Sequence, residues 1–462
     1  MTKKKWNLPW EMLPVIISLA WPTMLEQLLQ TAVQYIDTAM VGSLGTQATA
    51  AVGATSTVNW LVSSTIAALG VGFLAFVSQA CGAGDPEKAG QASSQAVLTV
   101  LISGLFFTFL TLGVSRYIPV WMQVDADIQL LTQQYFFILY TPMLFRTATI
   151  IFGTLLRAVG DSKTPMRVGV LVNIVNVVLN FLLIYPKRIW LGMTLWGAGM
   201  GVIGAATASA VSFAVGGILI TAALWRHPFI SPRGQSLKPD FQILGPCLKV
   251  ALPNALQRFG TSLGYVAFAS MINSIGEVAT AAHTIANTVE SAFYIPGYGM
   301  QTAAATLAGN ALGARDNQKA GKLAQMILVI EFSLMVVSGA LLFAFAPQMM
   351  SLFSMDPDVI LLGVTVLRMV ALSEPFYGVA IIIEGMMQGM GNTVMPFVFS
   401  ITGMWGIRII GTFLCTQLLG MGLVSAWGCM IAHNMALFGA FLLCYITGKW
   451  NPMNNRKNNR IF

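Results

Sequence analysis

The chain has 462 residues, 56% of them hydrophobic and only 9% charged, with a formal net charge of +8 and five cysteines. A soluble domain carries roughly 25% charged residues, so this composition argues against a water-soluble enzyme and for a chain that folds in lipid. The positive charge then faces an anionic leaflet rather than nucleic acid, and Cys81, Cys247, Cys415, Cys429 and Cys444 contain no CxxC pair from which to build a disulfide framework or thiolate metal site.

In chain order, apolar runs of about 20 residues recur between short polar breaks. They cover residues 13–40, 50–77, 91–115, 131–156, 165–185, 198–224, 244–272, 281–308, 322–346, 360–388, 396–418 and 424–447. Without water to satisfy the backbone, each run must close its own hydrogen bonds, so the predicted fold is all-α and polytopic with twelve transmembrane helices. The first run is too long for a signal-peptide core and carries Trp21, Pro22 and Asp37 without a convincing cleavage site, which makes it a mature span. Of the 25 Lys and Arg, 17 fall at the termini or after even-numbered runs, against Arg116, Lys187 and Arg188 on the other side. The positive-inside rule therefore puts both termini in the cytoplasm.

The chain also repeats itself. At an offset of 231 residues, ACGAGDPEKAG at Ala80 lies over ALGARDNQKAG at Ala311, and TAAVG at Thr49 over TAAHT at Thr280. The same register pairs Pro22 with Pro253, Gly45 with Gly276, Asp125 with Asp356, Asp127 with Asp358, Gly160 with Gly391 and Pro165 with Pro396. Polar loop residues do not keep one gapless register by the chance that matches apolar segments. Two pseudo-symmetric six-helix lobes follow, 1–225 and 243–448, joined by a cytoplasmic linker at 226–242 and followed by a basic tail at 449–462. Six spans per copy is an even number, so both copies enter from the same side, an arrangement suited to two bundles rocking around a central cavity.

Charges inside the spans are few. A charge at mid-bilayer costs about 2.5–3.5 kcal/mol on insertion scales, so Asp37 should face protein or water. Thr23, Gln27, Gln30, Gln34 and Asp37 share one helix face with Glu26 at its edge, and Asn173, Asn176 and Asn180 share a face of the fifth span. Oxygens converging on a carboxylate can bind Na⁺, the carboxylate can exchange a proton, or the polar groups can simply hold helices together. In the second half, His283, Asn287, Glu290 and Tyr294 form a polar face on the eighth span, and Glu374, Tyr377 and Glu384 lie near one face of the tenth. Glu290 and Glu374 are expected to hold a proton, a cation or a cationic substrate, or to pair structurally with Arg258, Arg368 or Arg408. Glu331, in an apolar setting, reads as interfacial or structural, and His283 as a packed residue. Asp37 maps to Phe268, so the halves differ in function. Pro22, roughly four turns before Asp37, and Pro296-Gly297, expected to break the eighth span, are hinges or static kinks. The 26 Met and 27 Phe are mostly packing, and would accept lipophilic cations where they line a cavity. HExxH, GxSxG and GxxxxGK are absent, and GMGVIG at Gly199 lacks the preceding strand that a nucleotide site needs.

The early WP followed by QTAVQYIDTAMVGSLG, then SQACGAGDPEKAG, LRAVGDSKTP, AAHTIANTVESAFYIPGYGMQTAAATLAGNALGARD and GMMQGMGNTVMP, resembles the multidrug and toxic compound extrusion (MATE) family of secondary transporters, over nearly the whole chain. The resemblance implies a V-shaped pair of six-helix lobes in a cell membrane, acting as a monomer without a cofactor. It also implies alternating access, with organic cations, drugs or toxic metabolites exported in exchange for Na⁺ or H⁺. Asp37 looks like the family's ion-coupling aspartate, Asn176 like its fifth-helix asparagine, and Ser209 occupies what is often a sixth-helix threonine. Asn180 departs from the aspartate many members carry, which leaves Na⁺ at Asp37, Asn176 and Asn180 open and favours a proton. Tyr377 stands where some branches have an acid, with Glu374 one turn earlier; with Gln34 and Glu290 these form the expected substrate or second cation site. A flippase for a lipid-linked or amphipathic metabolite is the alternative, and a channel is disfavoured because the repeat contains no pore loop.

Overall fold

The structure, a computed structural model, describes residues 9–122, 124–190 and 193–454. Lys3, Lys4 and Lys5 and the tail from 455 onward lie outside the described residues. A 3₁₀ turn at Trp10–Met12 leads into α1 (Leu13–Gly42), followed by α2 (Thr46–Gly82), α3 (Pro86–Val114), the short α4 (Ile118–Trp121), α5 (Ala126–Tyr140), α6 (Met143–Ala158) and α7 (Lys163–Leu183). A hairpin, β1 (Pro186–Trp190) and β2 (Met193–Ala198), separates α7 from α8 (Gly201–Arg226). The second copy runs α9 (Phe241–Asn273), α10 (Glu277–Gly313), α11 (Asn317–Phe353), α12 (Pro357–Ala371), α13 (Glu374–Gly389), α14 (Val394–Thr402), α15 (Ile410–Thr412) and α16 (Leu423–Ile446). The hairpin is the one departure from an all-helical reading among the described residues, and it occupies the segment read as a loop.

Twelve helical columns result. Eight are long and apolar enough to cross a membrane, and ten qualify once the bent pairs α5–α6 and α12–α13 are each taken as one span. The other two, α9 and α10, have the length, at 33 and 37 residues, but carry more polar residues. The bends are 49° and 54°. They fall at Thr141-Pro142 and Leu372-Ser373, positions related by the repeat offset. Pro142 cannot donate to the helical ladder and biases the residue before it away from helix.

The repeat is visible in the backbone. Asp85 caps α3 by accepting from the Lys88 amide at 3.0 Å, and Asp316 caps α11 from the Lys319 amide at 2.8 Å. Gly45 and Gly276 both have positive φ, as do Gly160 and Gly391. Gly84 (φ +68°) pairs with Arg315 (φ +54°), the only non-glycine residue of positive φ among the described residues. Arg315 is strained because it inherited a turn that a glycine fills in the other copy.

The helices form two compact units. Among the described residues, one comprises those within Leu25–Phe73 and Asp85–Gly245; the other comprises those within Met1–Met24, Leu74–Gly84 and Pro246–Phe462. Thus α1 changes unit after Met24, two residues beyond Pro22, and α2 changes unit after Phe73. Close packing explains why the end of α2 joins the later residues. A Cβ on Gly82 would lie 1.9 Å from the Asn310 carbonyl oxygen, and one on Gly313 1.9 Å from that of Gln79. Gln79 Nε2 also donates to the Gly389 carbonyl at 3.2 Å. Small residues let backbones approach where lipid offers no hydrophobic drive between helices.

Helix α10 runs unbroken through Pro296-Gly297, so the expected break is not present. Instead this stretch is a contact point within its unit. Thr23 Oγ1 donates to the Gly299 carbonyl at 2.9 Å, and a Cβ on Gly299 would lie 2.6 Å from Met24 Cγ. Both proline positions singled out in the sequence therefore belong to one packed region.

Candidate ion-binding site

Asp37 lies in the last turns of α1 and is half-buried. Asn180, one turn beyond Asn176 on α7, points its Nδ2 at Asp37 Oδ1 at 2.5 Å and at Asn176 Oδ1 at 3.1 Å. Asn176 meets Ser209 Oγ of α8 at 3.2 Å. The i, i+4 spacing of the two asparagines stacks both amides on one face of α7, and both are buried. Three helices of one unit therefore converge on a single carboxylate.

The Asn176 amide can be read in two orientations, and the one that gives both of its ends a partner sets its nitrogen toward Asp37. In one, its oxygen accepts from Asn180 and its nitrogen donates to Ser209. Turned over, its nitrogen lies 2.8 Å from Asp37 Oδ1 and 3.2 Å from Oδ2, and its oxygen accepts from the Ser209 hydroxyl. An ionised Asp37 selects the second orientation, because an acceptor-only carboxylate needs donors. A protonated Asp37 suits the first, because its hydroxyl can donate to the Asn176 oxygen.

No Lys or Arg forms an ion pair with Asp37; among the described residues the ion pairs are Arg157–Glu26 and Lys322–Glu11. The buried Asn180 Oδ1 has no hydrogen-bond partner. Oxygens of Asp37, Asn176, Asn180 and Ser209 are the hard donors a Na⁺ ion would use, and the same carboxylate can take a proton.

Other sequence-selected residues fall elsewhere. Gln34 is exposed on the same helix, one turn before Asp37. Glu26 does not join the Asp37 cluster. Both of its oxygens accept from Arg157 Nη2 at 2.7 Å, and Gln30 donates to it at 3.4 Å. Sequence reasoning missed Tyr135, which is buried on α5 within electrostatic reach of Asp37. It also missed the anchoring of Arg146, whose guanidinium donates to Asn59 and Ser63 at 2.5 Å and lies 4.8 Å over the Phe213 ring. Arg146 stands 87 residues from Asn59, so no local pattern pairs them.

In the other unit, Glu290 and Glu374 are buried at 6% and 2% exposure, and Tyr377 is half-buried. The expected bridges do not form: neither acid makes an ion pair among the described residues. Arg258 donates to Asn254 at 2.9 Å, and Arg368 lies over Phe343. Arg408 stacks 4.1 Å over Phe268 and 4.9 Å over Tyr265, within electrostatic reach of Glu290. It is carried in a π-helical turn, Gly403–Ile409, whose wider winding departs from regular α7 at the repeat-related place. Glu384 is held by Gln257 at 2.8 Å and Gln388 at 2.9 Å, a fixed structural role. His283 accepts from Trp427 Nε1 at 3.3 Å, as a packed residue does. Glu331, read as interfacial or structural, is wholly buried at 0% exposure, which removes the interfacial alternative.

Comparison with known proteins agrees with this architecture. The MatE family model matches twice, over residues 22–182 and 253–414, so that the matches start on the two prolines paired by the internal repeat. The chain is 27% identical to the probable multidrug resistance protein NorM of Thermotoga maritima, over 96% of this chain and 95% of that protein. It is 27% identical to the probable multidrug resistance protein YpnP of Bacillus subtilis, over 95% and 96% respectively. A crystal structure of MATE in complex with MaL6 superposes with a TM-score of 0.87 at 24% identity, covering 95% of this chain and 96% of the other. With two family matches in the register of its own repeat, on a twelve-column helical fold shared with solved MATE structures, the chain belongs to the MatE family of multidrug and toxic compound extrusion transporters, which are membrane carriers and not enzymes.

Proposed function

We propose that the protein is a cation-coupled antiporter of the cell membrane that exports organic cations, with Asp37 as the switchable charge and both termini in the cytoplasm. One observation carries the reading: a carboxylate in a membrane helix, free of any cationic partner among the described residues, faces amides from a second helix that are braced by a third. A structural acid in lipid would be neutralised by a fixed base, as Glu26 is by Arg157. An unpaired one suits an exchangeable ion.

The coupling ion is a proton. Asn180 supplies no second negative charge, which weakens the site for Na⁺ and leaves one carboxylate that a single proton neutralises. Asn176 and Asn180 of α7 and Ser209 of α8 adjoin the carboxylate of α1, so all three helices border the exchanging ion. Asn176, Asn180 and Ser209 position the carboxylate, and Gln34, exposed one turn before it, is a proposed contact for the substrate. The printed names of the relatives, probable multidrug resistance proteins, support a broad organic substrate class. In this reading the chain works as a monomer.

Accumulation of a fluorescent lipophilic cation in bacterial cells tests the export claim. Cells producing the protein are expected to accumulate less dye than cells producing Asp37→Asn at equal membrane abundance. Equal accumulation in the two strains would contradict the assignment.

A further inference from the structure

We propose that Glu331 and Glu374 form a second proton-binding site in the unit that lacks Asp37. Glu331 of α11 has no exposed surface, and neither of its carboxyl oxygens has a hydrogen-bond partner among the described residues. Its Oε1 is pressed between two helix backbones: a Cβ added to Gly297 would lie 2.8 Å from it, and one added to Gly378 3.1 Å. Those glycines belong to α10 and α13, so one carboxyl fills the space that both leave open. Met335, one turn along α11, closes the same pocket, with Cε 3.3 Å from the Gly297 position and Cγ 2.5 Å from that of Gly378.

The groups around it offer no neutralising charge. From α13 comes Glu374, at 2% exposure with Oε2 also unpartnered, within electrostatic reach of both Glu331 and Glu290. From α10 come Glu290 and Tyr294, the latter interacting with Glu290 and Glu374. Tyr377 and Glu384 on α13 are respectively a phenol and an acid already held by two glutamines. Arg368 on α12 lies 5.2 Å over the Phe343 ring, turned to a different partner. Arg408 serves Glu290, with His283 and His433 nearby as further recipients of its field. Arg408 therefore reaches one of the three buried acids, Glu290, and Glu331 and Glu374 have no cation acting on them among these groups.

An unpaired carboxylate in a dry interior is far costlier than the neutral acid. The ligand must accordingly be one that neutralises Glu331 and Glu374. A metal cation needs several oxygens, whereas Glu331 is lined by two glycine backbones and a thioether, and no group of three acidic, His or Cys ligands suited to a metal exists among the described residues. A proton needs no further ligand. The site also sits where it can act: Glu374 opens α13 immediately after the 54° bend, and its Cβ lies 3.6 Å from a Cβ placed on Gly339 of α11. Loss of the proton puts like charges across α11 and α13 at that bend, which links its filling to the bend angle.

This site does not depend on the role of Asp37, and infrared difference spectra separate the two. The purified full chain in lipid is compared between acid and alkaline pH, with the carboxylic-acid stretch as readout. The wild type is expected to show acid groups that ionise as pH rises; Glu331→Gln loses part of that signal, and Asp37→Asn keeps that part. Glu374→Gln, which leaves Glu331 in place, is expected to move the midpoint of the Glu331 signal to lower pH, because a repelling neighbour is gone. A Glu331→Gln spectrum identical to wild type, or a signal abolished entirely by Asp37→Asn, overturns the proposal. If Glu331→Gln does not fold, an unshifted midpoint in Glu374→Gln overturns it equally.

Discussion

Position 37 and its repeat mate, position 268, occupy the same place in two copies of one scaffold. In the first copy an aspartate accepts from Asn180 and adjoins Asn176; in the second, Phe268 lies under the Arg408 guanidinium at 4.1 Å. The asparagines map to Ile407 and Gly411, and the neighbouring Val177 maps to Arg408. Where one copy holds a negative charge among neutral amides, the other holds a positive charge on an aromatic face. Yet the caps, the left-handed turns and the bends have all been kept. Duplication preserved what the backbone requires and released the polar interior, so the acids of the second unit sit at new positions, 290, 331 and 374.

The contrast can be broken most severely at Asp37. Asp37→Asn is expected to lower coupled export at least about 100-fold, since it removes the group whose two charge states drive exchange. Adding Phe268→Asp to that variant is not expected to restore it, because an acid beneath Arg408 would pair with it rather than exchange. Rates measured in the single and double variants check both statements. Next in size, Arg408→Leu removes the cation that acts on Glu290 and the guanidinium stacked on Phe268, and should destabilise the protein. Adding Glu290→Gln should recover most of that loss, as read by thermal unfolding in detergent. Asn180→Ala removes a charge-assisted hydrogen bond worth about 1.5–3 kcal/mol, which predicts a roughly tenfold or larger change in the ion concentration giving half-maximal export. Asn180→Asp sharpens the same point: a second carboxylate should bring Na⁺ dependence to a proton-driven carrier. The smallest effect belongs to the scaffold, where Arg315→Gly should stabilise by about 1 kcal/mol by relieving the left-handed residue, while Gly84→Ala at the matching turn should cost a similar amount.

The repeat, the twelve spans, and the separate polar stripes that carry Asp37 and Asn176 with Asn180 were legible in the sequence because each rests on spacing along one helix or on a constant offset; the family resemblance matched Asp37 with Asn176. Ser209 came from the family resemblance, since nothing in GAATAS points at Asn176, 33 residues upstream. Other features depend on contacts between distant segments. Glu26 read as part of a polar stripe, but its partner is Arg157, 131 residues away. Glu331 read as interfacial or structural because its neighbours in sequence are apolar; its burial is set by Gly297 and Gly378, which lie on other helices. The continuity of α10 through Pro296 was equally hidden, because a helix tolerates an internal proline when tertiary packing holds it. The hairpin at residues 186–198 follows a span with no turn signal strong enough to foretell strands.

The most direct measurement is the initial rate of export of a fluorescent organic cation from proteoliposomes, with a pH gradient and a Na⁺ gradient imposed separately, for wild type and Asp37→Asn. The account predicts export driven by the pH gradient in the wild type and only background flux in the variant. Undiminished gradient-driven export by Asp37→Asn would contradict it.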